Sequence, residues 1–421
     1  MIKAGSLFYA IVISLIIAIV SSSLILFSYL SHIQFETFEI NERLQLNADS
    51  GLNLLLSQQS IVGLNEKKIL DLYGQGIDSV ELSRKSWGAY EIAISNAVFK
   101  NTSVLRAAQI GYDQDTSKTY SLYLSDEDKP LALSGKTKIK GTAFLPKAGV
   151  KRAYIEGQNF VGDELIDGLT KQSEKSLPEF NKELIENIQA IFSDKQISET
   201  DSIVSINGDL SIDSLKNSFL NNSLILHSTG SIKISEGFYS GNIAIISDKQ
   251  IKISANSIIH DLMIVAPRVI VEKGFKGNLQ IFASDSVIIE KNVTLTYPSV
   301  IGLVRNNQSP NVAAIVLNEN DTIMGNVFAY KKPEDVLKQS GLVLAEKSFV
   351  YGQVYSNGYV DVKGEIYGSL MCNKILLKTP SSVYENHLLN VVIDRSKLSK
   401  YFVGINLVEE STMKKVVKWE R

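Results

Sequence analysis

Residues 224–289 read LILHSTGSIKISEGFYSGNIAIISDKQIKISANSIIHDLMIVAPRVIVEKGFKGNLQIFASDSVII. Short apolar triplets begin at Leu224, Ile243, Leu262 and Leu279, so their starts are 19, 19 and 17 residues apart. A second apolar pair and a glycine or asparagine follow each triplet in step, so every unit reads as two short strands separated by corners. One such unit is too small for a core of its own, whereas stacked units bury continuous ladders of like side chains. This period predicts a parallel β-helix over residues 201–395.

Two sets of equivalent positions define the predicted repeat. The core column, where apolar residues of successive coils meet, is predicted to consist of Ile234, Ile253, Val271 and Ile289. The corners, with residue types that tolerate a left-handed backbone, are predicted to consist of Gly237, Asn256, Gly274 and Asn292.

The amino-terminal segment predicts a membrane anchor. No charged residue occurs between Ala4 and Ser31, and at about 1.5 Å per residue this helix is long enough to cross about 30 Å of hydrocarbon. The predicted anchor residues are Leu7, Tyr9 and Leu30, because apolar side chains fill the span and an aromatic ring near its end favours the headgroup level. A cleaved secretory signal is the alternative, but the apolar core of such a signal is typically about 7–15 residues long.

The charges that flank this span predict its orientation. Lys3 precedes it, and Glu36, Glu39 and Glu42 follow it, which favours an amino end in the cytoplasm. We therefore expect a single-pass protein of the cytoplasmic membrane, with its carboxy-terminal body on the periplasmic or extracellular side. Apolar residues continue at helical spacing beyond the span, so one transmembrane and amphipathic helix is predicted over residues 1–62.

The two ends of this helix carry short segments with a recognisable pattern. Residues 3–9 read KAGSLFY and residues 47–53 read NADSGLN. With the uncharged span between them, these segments resemble the minor pilins and pseudopilins of type IV pilus and type II secretion machines. The resemblance implies cleavage by a prepilin peptidase between Gly5 and Ser6, and lateral packing with other helices. The sequence departs from the family at Ala10, where most pilins carry a glutamate and some tip-located minor members do not.

A tighter form of the repeat occurs at VYGQVYSN (350–357) and IYGSLMCN (366–373), with related copies at IMGNVFA (323–329) and IKGTAF (139–144). These coils resemble the bactofilins, polymer-forming β-helical proteins of the bacterial cytoskeleton, over residues 203–378. The resemblance implies a scaffold that polymerises end to end.

The remaining segments complete the predicted domain order. Alternating runs predict a small antiparallel sheet over residues 63–135. Residues 136–200 predict a first β coil and an inserted or capping helix between Ser173 and Phe192, and residues 396–421 a tail. The predicted fold class is thus mainly β, with a long N-terminal transmembrane helix and a parallel β-helix body preceded by a small antiparallel sheet.

No constellation in the sequence predicts catalysis. A carboxylate cluster would need acidic residues at equivalent positions of successive coils, but Asp248 and Asp261 fall at different points of the repeat. Cys372 aligns with small residues of other coils and is expected to be a core residue. His227 and His260 have no obvious carboxylate partner. We therefore expect no enzyme activity, no cofactor and no metal site.

The composition favours a structural or binding role. With 43 basic and 45 acidic residues interspersed and a net charge of -2, the chain has no basic field for nucleic acid. We predict a membrane-anchored, extracytoplasmic structural or assembly protein similar to a minor pilin, whose partners are the lipid bilayer and other helices. The alternatives are a membrane-tethered carbohydrate-binding or carbohydrate-cleaving β-helix protein and a bactofilin-like scaffold that associates with itself.

Overall fold

The protein is mainly β-structure with one long apolar helix at the amino terminus, which confirms the predicted fold class. The structure is a computed structural model. It describes residues 4–57, 61–74, 76–114, 120–192, 201–306, 308–332, 334–335, 339–408 and 413–420.

The elements fall into three groups. The helices are α1 (Ala4–Leu56), α2 (Lys182–Phe192) and a short 3-10 helix (Arg395–Lys397). The strands of an antiparallel sheet are β1 (Lys67–Leu70), β2 (Ser79–Trp87), β3 (Tyr90–Phe99), β4 (Thr102–Asp113), β30 (Val403–Gly404) and β31 (Lys414–Glu420). The strands of the coils and their hairpins are β5 (Leu122–Leu124), β6 (Leu131–Ser134), β7 (Lys138–Lys140), β8 (Ala143–Leu145), β9 (Val150–Arg152), β10 (Tyr154–Ile155), β11 (Gln158–Asn159), β12 (Thr170–Gln172), β13 (Ser202–Ser205), β14 (Gly208–Asn217), β15 (Leu224–Ser228), β16 (Ile232–Gly241), β17 (Ile243–Ser247), β18 (Gln250–Ile253), β19 (Ser257–Val271), β20 (Lys276–Ile289), β21 (Thr294–Val304), β22 (Val312–Leu317), β23 (Thr322–Tyr330), β24 (Gln339–Leu344), β25 (Phe349–Val362), β26 (Glu365–Lys378), β27 (Val383–Glu385), β28 (His387–Leu389) and β29 (Val392–Asp394).

The chain divides into two compact units. The first consists of Met1–Leu55, Gln59–Arg84 and Ala93–Arg106, and the second of Leu56–Gln58, Lys85–Ile92 and Ala107–Arg421. Strands β2, β3 and β4 contribute residues to both.

Most of the second unit is a stack of coils, in which the coil strands pair in parallel with their equivalents one coil along. The hairpins β10–β11 and β26–β27 are antiparallel exceptions. One column of partners, all of them buried, consists of Leu210, Ile234, Ile253, Val271, Ile289, Leu317, Leu344 and Val362. The structure thus places the four residues of the predicted core column in one register. Because apolar side chains meet their equivalents coil after coil, the whole stack shares one continuous hydrophobic core.

The amino-terminal coils do not stack on the coils that follow them in sequence. Leu122 of β5 is the partner of Leu370 of β26, and Ile139 of β7 is the partner of Ile393 of β29. The stack therefore begins with β13 and β14 and ends with the coils of residues 143–172, which precede β13 in the sequence.

The predicted helix between Ser173 and Phe192 is shorter than expected and lies on the side of the stack. It begins at Lys182, after Pro178, because Asn181 Oδ1 accepts a hydrogen bond from Leu184 N at 3.1 Å and caps the first turn. The helix contacts β19 and β21, which are strands from the middle of the stack. It therefore caps neither end.

Part of the segment expected to be a carboxy-terminal tail forms β31, which pairs antiparallel with β4. Its lysines each contact a carboxylate: Lys414 Nζ lies 2.7 Å from Glu91 Oε1, and Lys415 Nζ 2.7 Å from Asp113 Oδ2. Lys418 pairs with Asp261. These contacts attach the strand to residues 85–92 and to β19.

Left-handed backbone occurs at three of the four predicted corners. The φ angle is 109° at Gly237, 82° at Gly274 and 63° at Asn292, whereas Asn256 has no positive φ. The tighter repeat contains a further glycine ladder, since a Cβ on Gly368 would collide with the carbonyl oxygen of Gly352 in the next coil. Glycine is therefore required there for close approach of the two coils.

Candidate functional site

The amino-terminal part of α1 is apolar and exposed. Leu7, Tyr9 and Leu30 are exposed to 65%, 67% and 50%, and hydroxyls within the span bond back to helix carbonyls, as Ser23 Oγ does to Ile19 O at 2.9 Å. This helix is long and apolar enough to cross a membrane. Burial in lipid would remove the exposed apolar surface from water.

The carboxy-terminal part of α1 packs on the first unit's strands. Its buried stripe consists of Leu44, Ala48, Leu52 and Leu55. Gly51 lies at the closest approach, because a Cβ there would collide with the side chains of Ser95, Leu82 and Val80. The NADSGLN segment therefore has a local physical role, which is to let the helix lie close to β2 and β3.

Polar contacts fix the rotation of this half of α1. Arg43 Nε lies 2.7 Å from Asp78 Oδ2, whose side chain is almost fully buried. Asp49 Oδ1 accepts from Arg106 Nε at 2.8 Å. At 3.6 residues per turn, Arg43 and Asp49 lie on opposite sides of the apolar stripe around the helix, so a rotation of the helix about its axis would break both ion pairs.

A groove of about 760 Å³ follows α1 beyond the apolar span, from Glu36 to Asn47, and is bounded by Tyr73 and Phe99. Glu36, Glu39 and Glu42 all line it. The buried Nδ2 of Asn47 has no hydrogen-bond partner among the described residues. Arg43 and Lys100 also line the groove. It is thus an open surface with three acidic, two basic and several apolar residues, next to the predicted membrane boundary.

The predicted cleavage residues lie at the start of α1. Gly5 is exposed and has no atom within 4 Å of the position that a Cβ would take. Ser6 follows in the same exposed turn. Lys3, on which the predicted orientation partly depends, lies outside the described residues.

The cysteine and histidine side chains that could take part in catalysis or metal binding lie in different coils. Cys372 is fully buried in register with Ser356, and burial raises the pKa of its thiol well above the ordinary range. Contrary to expectation, His227 has a carboxylate partner, since its Nε2 lies 3.2 Å from Asp248 Oδ1. His260 Nδ1 lies 3.2 Å from an amide oxygen of Asn278. Within the described ranges, no group of three or more His, Cys, Asp or Glu side chains is placed to hold a metal ion.

Comparison with known proteins gives little further information. No protein family matches the chain, and no curated protein matches its sequence. One similar solved structure is the competence-associated pilin ComZ from Thermus thermophilus, with 8% sequence identity over 84% of this chain and 85% of that one. Its TM-score of 0.22 is too low to support a conclusion about fold or function.

Two buried polar residues of structural importance, Gln280 and Asp321, could not be found from the sequence pattern. The amide of Gln280 binds the backbone of the β2–β3 turn, donating to Trp87 O at 3.0 Å and accepting from Ala89 N at 2.8 Å. The carboxylate of Asp321 accepts from Val293 N and Asn318 N at 2.9 and 2.7 Å. Each resembles an ordinary polar residue of a strand or loop, and only its neighbours in space distinguish it.

Proposed function

We propose that this chain is a membrane-anchored, extracytoplasmic structural component of a pilin-like envelope assembly. The observation that supports it most is the division of α1 into an exposed apolar half and a half packed on antiparallel strands. A helix of this kind presents one end to lipid or to other helices while the other end carries a folded body. The low TM-score of the ComZ comparison adds no weight to the proposal.

The exposed face of α1 continues past the span, which is consistent with lateral helix packing. Phe35, Phe38 and Leu46 are all exposed, and their spacing of three and eight residues places them on one side of a helix. Leu46 also lines the groove that holds the three glutamates. A neighbouring helix with an apolar stripe and basic flanks would complement this surface.

The proposed role is not enzymatic. The thiol of Cys372 is buried and the His227–Asp248 pair is partly exposed. Among the described residues, no group of three or more His, Cys, Asp or Glu side chains is placed to hold a metal ion. The coils would instead present a rigid surface outside the membrane.

Processing of the amino terminus is the first test. In cells that contain a prepilin peptidase, intact-mass analysis is expected to show loss of residues 1–5 and a chain that begins at Ser6. Gly5→Leu is expected to block the cleavage, while Ala4→Ser serves as the neighbouring control. Wild-type protein that keeps residues 1–5 in such cells would contradict the pilin-like part of the proposal.

Helix packing is the second test. A photo-crosslinking amino acid in place of Phe38 is expected to capture other single-span envelope proteins in intact membranes. The same group in place of Tyr401, which is an exposed aromatic residue of the second unit, is the control. Equal crosslinking from both positions, or none from Phe38, would argue against a lateral helix contact.

A further inference from the structure

The two ends of the coil stack differ in how their cores are covered. At the end formed by residues 143–172, Ile155 and Ile166 are buried, and Phe160 and Leu165 pack against the core. The last strand there, β12 (Thr170–Gln172), has three polar exposed residues. A short, polar edge strand with a central lysine commonly prevents pairing with a strand of another molecule.

At the opposite end, which we call the open end, no described strand pairs with the outer edge. In the described part of the chain, β13 pairs only with β15 and β14 only with β16. Ile203, Val204 and Ile212 on these outermost strands are exposed to 53%, 45% and 38%. Every second residue of an edge strand directs its backbone N–H and C=O away from the existing ladder, so this end can accept another strand.

The sequence of β14 is complementary to itself in the reverse direction. It reads GDLSIDSLKN, so antiparallel pairing of two copies about its centre sets Asp209 against Lys216 and Leu210 against Leu215. Asp209 and Lys216 are both exposed, whereas Leu210 and Leu215 are both at least partly buried. Members of each pair therefore point to the same side, as antiparallel partners must.

The local geometry of β14 suits such pairing. The strand changes register against β16 between Leu210 and Ser211 and again between Ile212 and Ser214, so its two ends lie on either side of an irregular corner. A two-fold axis through that corner would set the first half of one copy antiparallel to the second half of the other. The charged groups are held at the surface, because Asp209 accepts from Ser235 and Lys216 Nζ lies 4.9 Å above the Phe238 ring.

We infer that the open end binds a second copy of this chain through β14, as a closed two-fold dimer. A filament of stacked copies would need a second open end, and the covered end of residues 143–172 does not offer one. The two edge strands supply 4 and 10 residues, fewer than the roughly 20–30 per side of a stable interface. The dimer is therefore weak, and its fraction rises with protein concentration.

A charge-swap series tests the register in the full chain purified in detergent. Asp209→Lys alone and Lys216→Asp alone each set like charges opposite one another twice per dimer, so each is expected to weaken dimerisation by about tenfold or more. The double variant restores both pairs and is expected to recover the dimer, as measured by sedimentation velocity. A fold defect from loss of the Ser235 contact would not be recovered. Single swaps that leave association unchanged, or a double variant that stays monomeric, would overturn the inference.

Disulfide crosslinking tests the geometry independently. A mixture of Ser211→Cys and Ser214→Cys proteins is expected to crosslink faster on oxidation than either protein alone, because these positions are opposite in the proposed pairing. Cys372 is buried and does not compete. Leu169→Cys, at the covered end and 68% exposed, is the matched control. Comparable crosslinking of Leu169→Cys, or filaments in electron micrographs, would refute a dimer closed through one end.

Discussion

Replacement of Gln280 by leucine is expected to release the turn between β2 and β3 from the coils. Gln280 is 3% exposed, and its amide satisfies one backbone carbonyl and one backbone N–H, at Trp87 and Ala89. Leucine has nearly the same volume and no polar atom, so the substitution removes both hydrogen bonds without leaving a large cavity. Each buried backbone group left unsatisfied costs roughly 1–3 kcal/mol, and partial access to water reduces this. We therefore expect a loss of about 2–4 kcal/mol in the local stability of residues 85–92.

Hydrogen exchange measures this loss where it occurs. Because 1.4 kcal/mol corresponds to a factor of ten, the protection of the Ala89 amide is expected to fall by about 30-fold to about 700-fold. Gln250→Leu removes a half-buried glutamine from β18 and serves as the matched control. Unchanged protection at Ala89 in Gln280→Leu, or an equal fall in Gln250→Leu, would refute the reasoning.

Three further outcomes are expected. Gly51→Val should loosen α1 from its strands by about 2 kcal/mol or more through overpacking, seen as faster proteolysis after residue 56, whereas Gly5→Val should have no such effect. Cys372 should react with a thiol reagent only at the rate of unfolding, because burial raises its pKa, and rapid labelling of the native protein would contradict this. Burial raises the pKa of Asp321 from its ordinary 3.8 to about 7, so the folded state binds the proton of this carboxyl group more tightly than the unfolded state does. The contribution of this protonation to the free energy of unfolding is complete below about pH 4 and is lost as the pH rises through 7. Acidification from pH 8 to pH 5 should raise Tm less in Asp321→Asn than in the wild type, and equal shifts would contradict the assignment.

The sequence was sufficient to predict the elements that repeat and the long apolar helix. Ile234 and Ile253 could be aligned because each coil places the same apolar residue at nearly the same interval, and side chains on a parallel ladder must match. The apolar span of α1 was recognisable because so long an uncharged run is typical of a membrane-crossing helix. These signals are local in sequence, so no knowledge of distant contacts was needed.

Contacts between distant segments could not be predicted. Nothing in the spacing around Leu122 indicates that its neighbour is Leu370 and not a residue of the following coil. The short strand β31 reads KKVVKWE, which resembles a solvated tail in the sequence. Only the structure shows that its lysines contact carboxylates far away in the sequence. The hydrogen bonds of Gln280 could not be predicted for the same reason, since a single buried amide produces no periodic pattern in the sequence.

The stacking of the first coils on the last ones has a consequence for biosynthesis. Because the ribosome makes the chain from its amino end, β5 emerges 248 residues before its partner β26, as the Leu122–Leu370 pair shows. During that interval the edge of β5 that faces β26 has no native neighbour, although its other edge can pair with β8. Closing so long a loop slows folding. Truncated products would keep this edge unpaired and be exposed to quality-control proteases. Only a chain translated beyond β26 can complete this pairing, so the topology distinguishes molecules that contain β26 from shorter fragments.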